Sequence, residues 1–279
     1  MQTTLTQPPP ERPELPDGVD PQPRWPAWNA AAAFGVGLVI TFIAVGVVAA
    51  ATGTASGDTS ATFTIVATLM QSAAFIGSAL LFASFTAPPK PRHFGLRRTP
   101  FWPTLGWAAL GMVSFYVFSA VYTTAVHPHA KQMVTEDLGA GNGTLGLILA
   151  GAMVICVAPV AEELFFRGFF FKALRTRYGV LAAAGIDGLV FGIIHYDFSG
   201  TSMLLILPPL AFLGFMFCLV YEKTGSIVPT IGLHAFNNTI AFGAQSHGWE
   251  VSAVLGPLMF AAVCLVPRFA FPPRRYARS

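Results

Sequence analysis

The composition of this 279-residue chain excludes a soluble globular protein, because 54% of its residues are hydrophobic and only 10% are charged. Soluble domains carry about 25% charged residues. The formal net charge of +3 needs no nucleic-acid partner, since the basic residues lie beside apolar runs, where they serve as membrane anchors. The composition therefore predicts a protein that crosses the lipid bilayer several times.

The N-terminal segment differs from the rest of the chain, because it is rich in proline, mixed in charge and without apolar periodicity. Such a segment is typical of a disordered or polyproline tail. A secretory signal peptide does not fit there, since the first apolar run begins too late and is too long. We therefore expect residues 1–26 to form a disordered cytoplasmic tail.

The apolar runs after this tail predict transmembrane helices. Five uncharged runs reach the roughly 18–20 residues that a helix needs to cross a bilayer. They lie approximately at 28–52, 61–86, 101–126, 143–161 and 251–267. Three further runs, near 179–195, 202–221 and 226–245, are apolar but carry isolated polar groups. The sequence thus predicts an all-α fold, a polytopic transmembrane helical bundle of about eight spans.

The basic residues also predict an orientation. Lysines and arginines lie between spans two and three and after spans four, six and eight, whereas the other loops carry only Lys131. Because basic loops tend to remain on the cytoplasmic side, both termini of this integral, multi-pass protein are predicted to be cytoplasmic.

The stretch AEELFFRGFFF, residues 161–171, contains three ionisable groups within an apolar run. Each charge inside a span costs about 2.5–3.5 kcal/mol on insertion scales, so such groups face a cavity or a partner. If span four extends to about residue 172, Glu163 and Arg167 lie one turn apart and can form an ion pair. Glu162 points about 100° away. It has no partner in its own helix, which makes it a candidate general base.

Further polar groups lie in later spans. His195 lies near the end of span five, while His234 and Asn238 share one face of span seven. Each has a structural interpretation: His195 as an interfacial residue, and His234 and Asn238 as interhelical hydrogen-bonding groups. Asp187 is a weaker candidate, which can simply pair with a neighbouring helix. Together with a carboxylate, however, two imidazoles and an amide are the groups needed to activate water against a carbonyl.

These residues form three motifs in order along the chain. They are EExxxR from Glu162 to Arg167, FxxxH from Phe191 to His195, and HxxxN from His234 to Asn238. Over residues 144–245 the sequence resembles the CPBP family of intramembrane endopeptidases, named for CAAX prenyl proteases and bacteriocin-processing enzymes. One EExxxR motif alone would be weak, but three motifs on separate spans are specific.

The resemblance implies a helical membrane protease with a cavity that opens to water inside the bilayer. It implies an active site formed by Glu162, Glu163, His195, His234 and Asn238. We hypothesise that Glu162 is the general base for a water that His195 also holds, and that His234 and Asn238 donate to the developing oxyanion. Glu163 and Arg167 would fix the position of the helix. The implied partners are the bilayer and a peptide or protein substrate, including a lipidated one as in CAAX processing.

The sequence leaves the cofactor open. Members of the family are often described as metalloproteases, and Glu162, His195 and His234 would make a His₂Glu ligand set like that of catalytic zinc sites. The chain has no HExxH motif, however, and metal-free activation of water by Glu and His serves equally well. Both interpretations stand at this point.

The expected order of domains begins with the tail, which is followed by N-terminal transmembrane helices at 27–127. The catalytic core is expected at 144–245, and a last transmembrane helix with a basic tail at 251–279.

Two rival functions are possible for such a chain. One is a transporter, which predicts inverted repeats that we do not detect. The other is a catalytically idle immunity or scaffold protein on the same fold, against which the intact motifs argue.

Two expectations concern depth and packing. In the predicted orientation, His195 falls near the outer end of span five, whereas Glu162 and His234 lie nearer mid-depth. Span five is therefore displaced along the membrane normal, or its boundaries are several residues off.

The aromatic cluster in the same stretch as the glutamates is expected to face lipid rather than to line a lipid-binding cleft. It consists of Phe165, Phe166, Phe169, Phe170 and Phe171.

Overall fold

Eight long helices dominate the computed structural model, which describes residues 22–53, 60–128, 133–196 and 201–270. They are α1 (Trp28–Thr52), α2 (Ala61–Ser84), α3 (Phe101–Val126), α4 (Gly143–Leu174), α5 (Val180–Ile193), α6 (Leu207–Thr224), α7 (Ile227–Ser246) and α8 (Trp249–Ala270). Short helical turns lie at Pro91–Phe94, Val134–Asp137 and Thr201–Ile206. These ranges contain no strand. The predicted all-α bundle is therefore confirmed, with one helix for each predicted span.

Six segments of the described ranges are long enough and apolar enough to cross a membrane. They correspond to α1, α2, α3, α4, α8 and α6 with its preceding turn, Thr201–Thr224. Helix α5 is apolar but has only 14 residues, and α7 has 20 residues that include His234, Asn237 and Asn238. By these criteria α5 and α7 are not counted as full spans, so six of the eight predicted spans meet the criteria and the exact number stays a prediction.

The surface of the bundle is apolar and its interior contains charges, as expected for a protein dissolved in lipid. Phe42, Trp102 and Phe269 are 72%, 77% and 82% exposed. Glu163 and Arg167, in contrast, are fully buried. This distribution is the reverse of that in a soluble domain, and it agrees with an integral membrane protein.

The N-terminal tail ends earlier than predicted. Residues 1–21 lie outside the described ranges, and so does the basic C-terminal segment 271–279. Trp25, however, is only 1% exposed, and its ring packs 5.2 Å from that of Phe94 and 4.9 Å from that of Phe169. Residues 22–26 are therefore part of the fold, because a tryptophan side chain buries a large apolar area against other aromatic rings.

Helix α4 lies at the centre of the bundle and packs against α1, α2, α5, α6, α7 and α8. Two π-helical turns, Ala152–Val157 and Phe166–Phe171, flank its α-helical segment Ala158–Phe165. A π turn inserts an extra residue into the helical ladder and rotates the residues after it, and such turns are frequent at functional sites. Both glutamates of the EExxxR motif lie on the short segment between the two turns.

The second π turn carries most of the aromatic cluster into the protein interior. The five phenylalanines of the cluster are at most 3% exposed, and they pack with α1, α2 and α5. The expectation that this cluster faces lipid is therefore wrong. The reason is that α4 is surrounded by other helices on all the faces that these rings occupy, which the local sequence does not reveal.

The short helix α5 explains the predicted mismatch in depth. Its 14 residues span about 21 Å at 1.5 Å per residue, less than the roughly 30 Å hydrocarbon core. A helix that starts at one membrane surface and has this length ends inside the bilayer. If α5 starts at a membrane surface, His195, two residues after its last residue, lies inside the bilayer rather than at the far surface.

Close backbone contact joins α5 to α6. A Cβ at Gly188 would lie 2.8 Å from the backbone nitrogen of Phe215, and one at Gly192 would lie 2.9 Å from the Cβ of Ala211. Small residues four apart allow two membrane helices to approach in this way. Gly185, on the same helix, has nothing within 4 Å of the equivalent position.

We expect Gly188→Ala to destabilise the protein by roughly 1–3 kcal/mol, because the added methyl group overpacks the α5–α6 contact. The matched change Gly185→Ala should be neutral or stabilising by about 0.5–1 kcal/mol, since alanine favours helix. Thermal unfolding of both variants in detergent micelles measures the difference. Equal unfolding midpoints would contradict the assignment of Gly188 to a close helix contact.

Candidate active site

A buried arginine connects three helices beside the candidate site. Nη1 of Arg167 donates to Oε1 of Glu163 at 2.8 Å, and both side chains are fully buried. Nη2 donates to the backbone carbonyl of Gly214 on α6 at 2.8 Å and lies 3.5 Å from Oδ1 of Asp187 on α5. The i, i+4 ion pair that the spacing predicts is therefore present. Asp187 has the structural role of pairing with a neighbouring helix.

Aromatic rings enclose the guanidinium group. Its central carbon lies 4.6 Å from the ring centroid of Phe191 and 5.2 Å from that of Phe217. Rings at this distance attract a cation through their quadrupole, most strongly where water is excluded. Phe191 is the first residue of the FxxxH motif, so the motif supplies a contact to Arg167 as well as the histidine four residues later.

His234 lies between the two adjacent glutamates. Its Nδ1 is 3.1 Å from Oε1 of Glu163, and its Nε2 is 3.8 Å from Oε2 of Glu162. Because Oε1 of Glu163 already accepts from Arg167, it is an acceptor for His234 too, so Nδ1 carries the hydrogen. The imidazole is thereby oriented with Nε2 toward Glu162.

Glu162 differs from Glu163 in its surroundings. Its side chain is 26% exposed, and Oε2 is buried without a hydrogen-bond partner among the described residues. Glu162 lines a cavity of about 40 Å³, which has room for water, since one molecule needs roughly 10–15 Å³. Glu162 therefore faces a cavity of the protein rather than the lipid.

Helix α2 contributes polar groups to this cavity that sequence reasoning missed. Thr68, Gln71 and Ser72 line it opposite Glu162. Their signal in the sequence is weak, because they are uncharged and lie outside the three motifs. The signal is nevertheless readable, since they are polar residues at i, i+3 and i+4 on one face of an apolar helix.

His195 is connected to the other residues through Phe191. Its Nδ1 lies 2.7 Å from the backbone carbonyl of Phe191, and because a carbonyl only accepts, Nδ1 is the protonated nitrogen and Nε2 keeps its lone pair. The ring of Phe191 lies 4.9 Å from that of His195 and 5.7 Å from that of His234. No direct hydrogen bond joins His195 to Glu162 in the described part of the chain.

Asn238 holds α7 against α4. Its Nδ2 donates to the backbone carbonyl of Val154 at 2.9 Å, within the first π turn of α4. Its Oδ1 lies 3.4 Å from Nδ2 of Asn237. Asn238 thus forms the interhelical hydrogen bond that its structural interpretation predicts. An amide group has two N–H donors, so one remains for another acceptor.

The candidate metal ligands do not form a complete ligand set. Among residues 22–53, 60–128, 133–196 and 201–270, no three His, Cys, Asp or Glu side chains are grouped so that they could hold a metal ion. Glu162 and His234 approach each other, but His195 does not join them at ligand distances. The His₂Glu set, one of the two interpretations that the sequence leaves open, is not assembled in this arrangement of the described residues.

The site is a polar, partly charged centre inside a bundle of apolar helices, and comparison with known proteins finds a family that matches this part of the chain. Residues 144–240 match the family described as type II CAAX prenyl endopeptidase Rce1-like. This match covers less than half of the chain, and it agrees with the resemblance found in the three motifs.

A curated relative and the solved structures add little on function. The protein YyaK of Bacillus subtilis (strain 168), described as uncharacterized, is 32% identical over 116 residues. The match covers 40% of this chain and 38% of the length of that relative. No solved structure matches the chain with significance.

We expect Arg167→Met to destabilise the protein by about 3–5 kcal/mol, because it leaves Glu163 buried without its cation. The matched change is Arg175→Met, which breaks a second Arg–Glu pair, to Glu222 at 3.0 Å with both side chains 30% exposed. That pair should contribute about 0–1 kcal/mol. Thermal unfolding in detergent compares the two, and similar losses would contradict a special role for the buried pair.

Proposed function

We propose that this chain is an intramembrane endopeptidase that hydrolyses peptide bonds with a water activated by Glu162. The observation that carries the proposal is the surroundings of Glu162. This residue lines a cavity with room for water, and its Oε2, which has no hydrogen-bond partner among the described residues, lies 3.8 Å from Nε2 of an imidazole oriented by Glu163. A separation of 3.8 Å is too long for a direct hydrogen bond. It suits two groups that contact the same water.

In the proposed reaction, Glu162 takes a proton from the water as the water oxygen attacks the carbonyl carbon of the scissile bond. The resulting tetrahedral intermediate carries an oxyanion. When the C–N bond breaks, Glu162 returns the proton to the leaving amine. In this scheme the second hydrogen of the water would be accepted by Nε2 of His195, because Nδ1 of this histidine donates to the carbonyl of Phe191.

The oxyanion would be stabilised by groups on α7. Asn238 offers the N–H that does not bind Val154. His234 would donate from Nε2, which requires a proton on that nitrogen as well as on the Nδ1 that faces Glu163. A well-placed donor of this kind contributes about 3–4 kcal/mol to catalysis. Glu163 and Arg167 are positioning residues in this scheme, since both are fully buried.

The proposed substrate class is a membrane-associated protein or peptide, with CAAX-type processing as the leading candidate. This reaction removes the last three residues after a prenylated cysteine, and it is supported by the description of the matched family. A cavity within an apolar bundle also suits a substrate held at the membrane by a lipid group. Cleavage of a farnesylated peptide, compared with the same peptide without the lipid, tests whether the lipid is recognised.

We expect Glu162→Gln to lower the rate of peptide cleavage by about 10²–10⁴-fold, because the amide keeps the shape of the side chain but cannot accept the proton. Glu222→Gln makes the same chemical change at a partly exposed ion pair and should leave the rate near that of the unchanged protein. The measurement is release of the C-terminal tripeptide by detergent-solubilised protein.

The same assay separates the competing functions. Cleavage that persists in both Glu162→Gln and His195→Ala would indicate a contaminating protease and would overturn the assignment of the base. A protein that never cleaves, but carries ions or solutes across proteoliposomes, would be a transporter. A protein inactive in both assays would fit an immunity or scaffold role.

We also propose that the reaction proceeds without zinc, since the ligand set does not converge in the described residues. Incubation with 1,10-phenanthroline followed by its removal should leave cleavage unchanged, and metal analysis of the active protein should give far less than one equivalent. Loss of activity that added Zn²⁺ restores would instead assign Glu162, His195 and His234 to a metal.

A further inference from the structure

A second cavity lies on the opposite side of α7 from the candidate active site. Its volume is about 590 Å³, and it runs between α3, α7 and α8. Gly232 and Phe236 of α7 line it. Each is two residues from His234, so at 100° per residue each points about 160° away from the histidine. The groove is therefore separated from Glu162 and His234 by the body of a helix.

Most of the groove is apolar. Leu105 and Met112 of α3, Leu233 of α7 and Val263 of α8 form its walls. The two α3 side chains lie about two turns apart, so the groove follows the helix direction for about 10 Å along this wall. A surface of this kind is shaped for an extended hydrocarbon chain that lies parallel to the helices.

One end of the groove is cationic. Arg97 and Arg98, just before α3, and Arg268, near the end of α8, line it there, and the lining includes no acidic residue. Nε of Arg97 donates to the carbonyl of Gly225, which holds its side chain at the turn between α6 and α7. Arg98 and Arg268 have no acidic partner among the described residues. The groove therefore ends in positive charge that its own walls do not neutralise.

We propose that this groove binds an anionic phospholipid, with the headgroup phosphate at the three arginines and an acyl chain along the apolar walls. Guanidinium groups bind phosphate through charge-assisted hydrogen bonds, and basic pockets between transmembrane helices are typical sites for anionic headgroups. All three arginines lie at the end of the bundle that the positive-inside rule predicts to be cytoplasmic, where anionic lipids are found. The site is independent of the proposed peptidase activity.

Lipid titration of the full-length protein tests the proposal. Dioleoyl phosphatidylglycerol, dioleoyl phosphatidylcholine or inorganic phosphate is added to the protein in a neutral detergent. Native mass spectrometry then measures how much of the lipid or ion stays bound to the protein. The unfolding midpoint is followed in parallel. We expect preferential retention of phosphatidylglycerol, with a higher midpoint, and little effect of phosphate alone, which has no chain for the apolar walls.

Two pairs of variants separate the headgroup contact from the chain contact. Arg98→Gln with Arg268→Gln should weaken phosphatidylglycerol binding by about fivefold per arginine. Arg24→Gln with Arg177→Gln removes the same charge at arginines outside the groove and should not. Ala109→Phe fills the apolar part and should also weaken binding. Val113→Phe, at a 59% exposed position of the same helix, should not.

The proposal fails if the Arg98/Arg268 double variant or Ala109→Phe binds phosphatidylglycerol as the unchanged protein does. It fails equally if phosphatidylcholine or inorganic phosphate reproduces the effect of phosphatidylglycerol. Displacement of the bound lipid by a farnesylated peptide with a free carboxylate would assign the groove to the substrate instead. Unfolding midpoints measured without lipid show whether each variant retains its fold, and the two independent variants give two separate tests.

Discussion

The ion pair between Glu163 and Arg167 is the interaction on which the centre of this structure depends. Two charges taken out of water cost several kcal/mol each, and their attraction offsets this only when every remaining donor and acceptor is well placed. The pair itself forms within one helix, but its completion requires others. Asp187 of α5, the carbonyl of Gly214 on α6 and His234 of α7 all bond or face the same two side chains. The charged pair therefore fixes how these helices assemble around α4.

The same pair creates the difference between two adjacent carboxylates. Glu163 shares one oxygen with Arg167 and His234 and is fully buried. Glu162, rotated by about 100°, faces a cavity and has an oxygen without a partner among the described residues. Two like residues in unlike surroundings are a common basis for dividing chemical roles in active sites. In this protein Glu163 contacts the imidazole of His234, and the proposed function assigns the activation of water to Glu162.

Helix length and backbone contact then determine which later residues reach this centre. Helix α5 has 14 residues, fewer than a full span needs, and Phe191 and His195 lie at its C-terminal end. The glycines of α5 allow α6 to pack directly against it, which brings the carbonyl of Gly214 to Arg167. The other side of α7 contributes to a separate groove that ends in arginines. One helix thus serves a polar interior and a lipid-facing surface.

The sequence by itself determined the class of protein, its helices and the pairing of Glu163 with Arg167. These features are local: apolar runs set the helices, and a spacing of four residues brings two side chains together whatever surrounds them. Tertiary structure alone decided the features that depend on neighbouring helices. It placed the phenylalanine cluster in the interior, joined Asn238 to Val154 and brought Gln71 of α2 to the cavity at Glu162. Helical periodicity gives the direction of a side chain around its own axis, but only packing specifies which helix it meets.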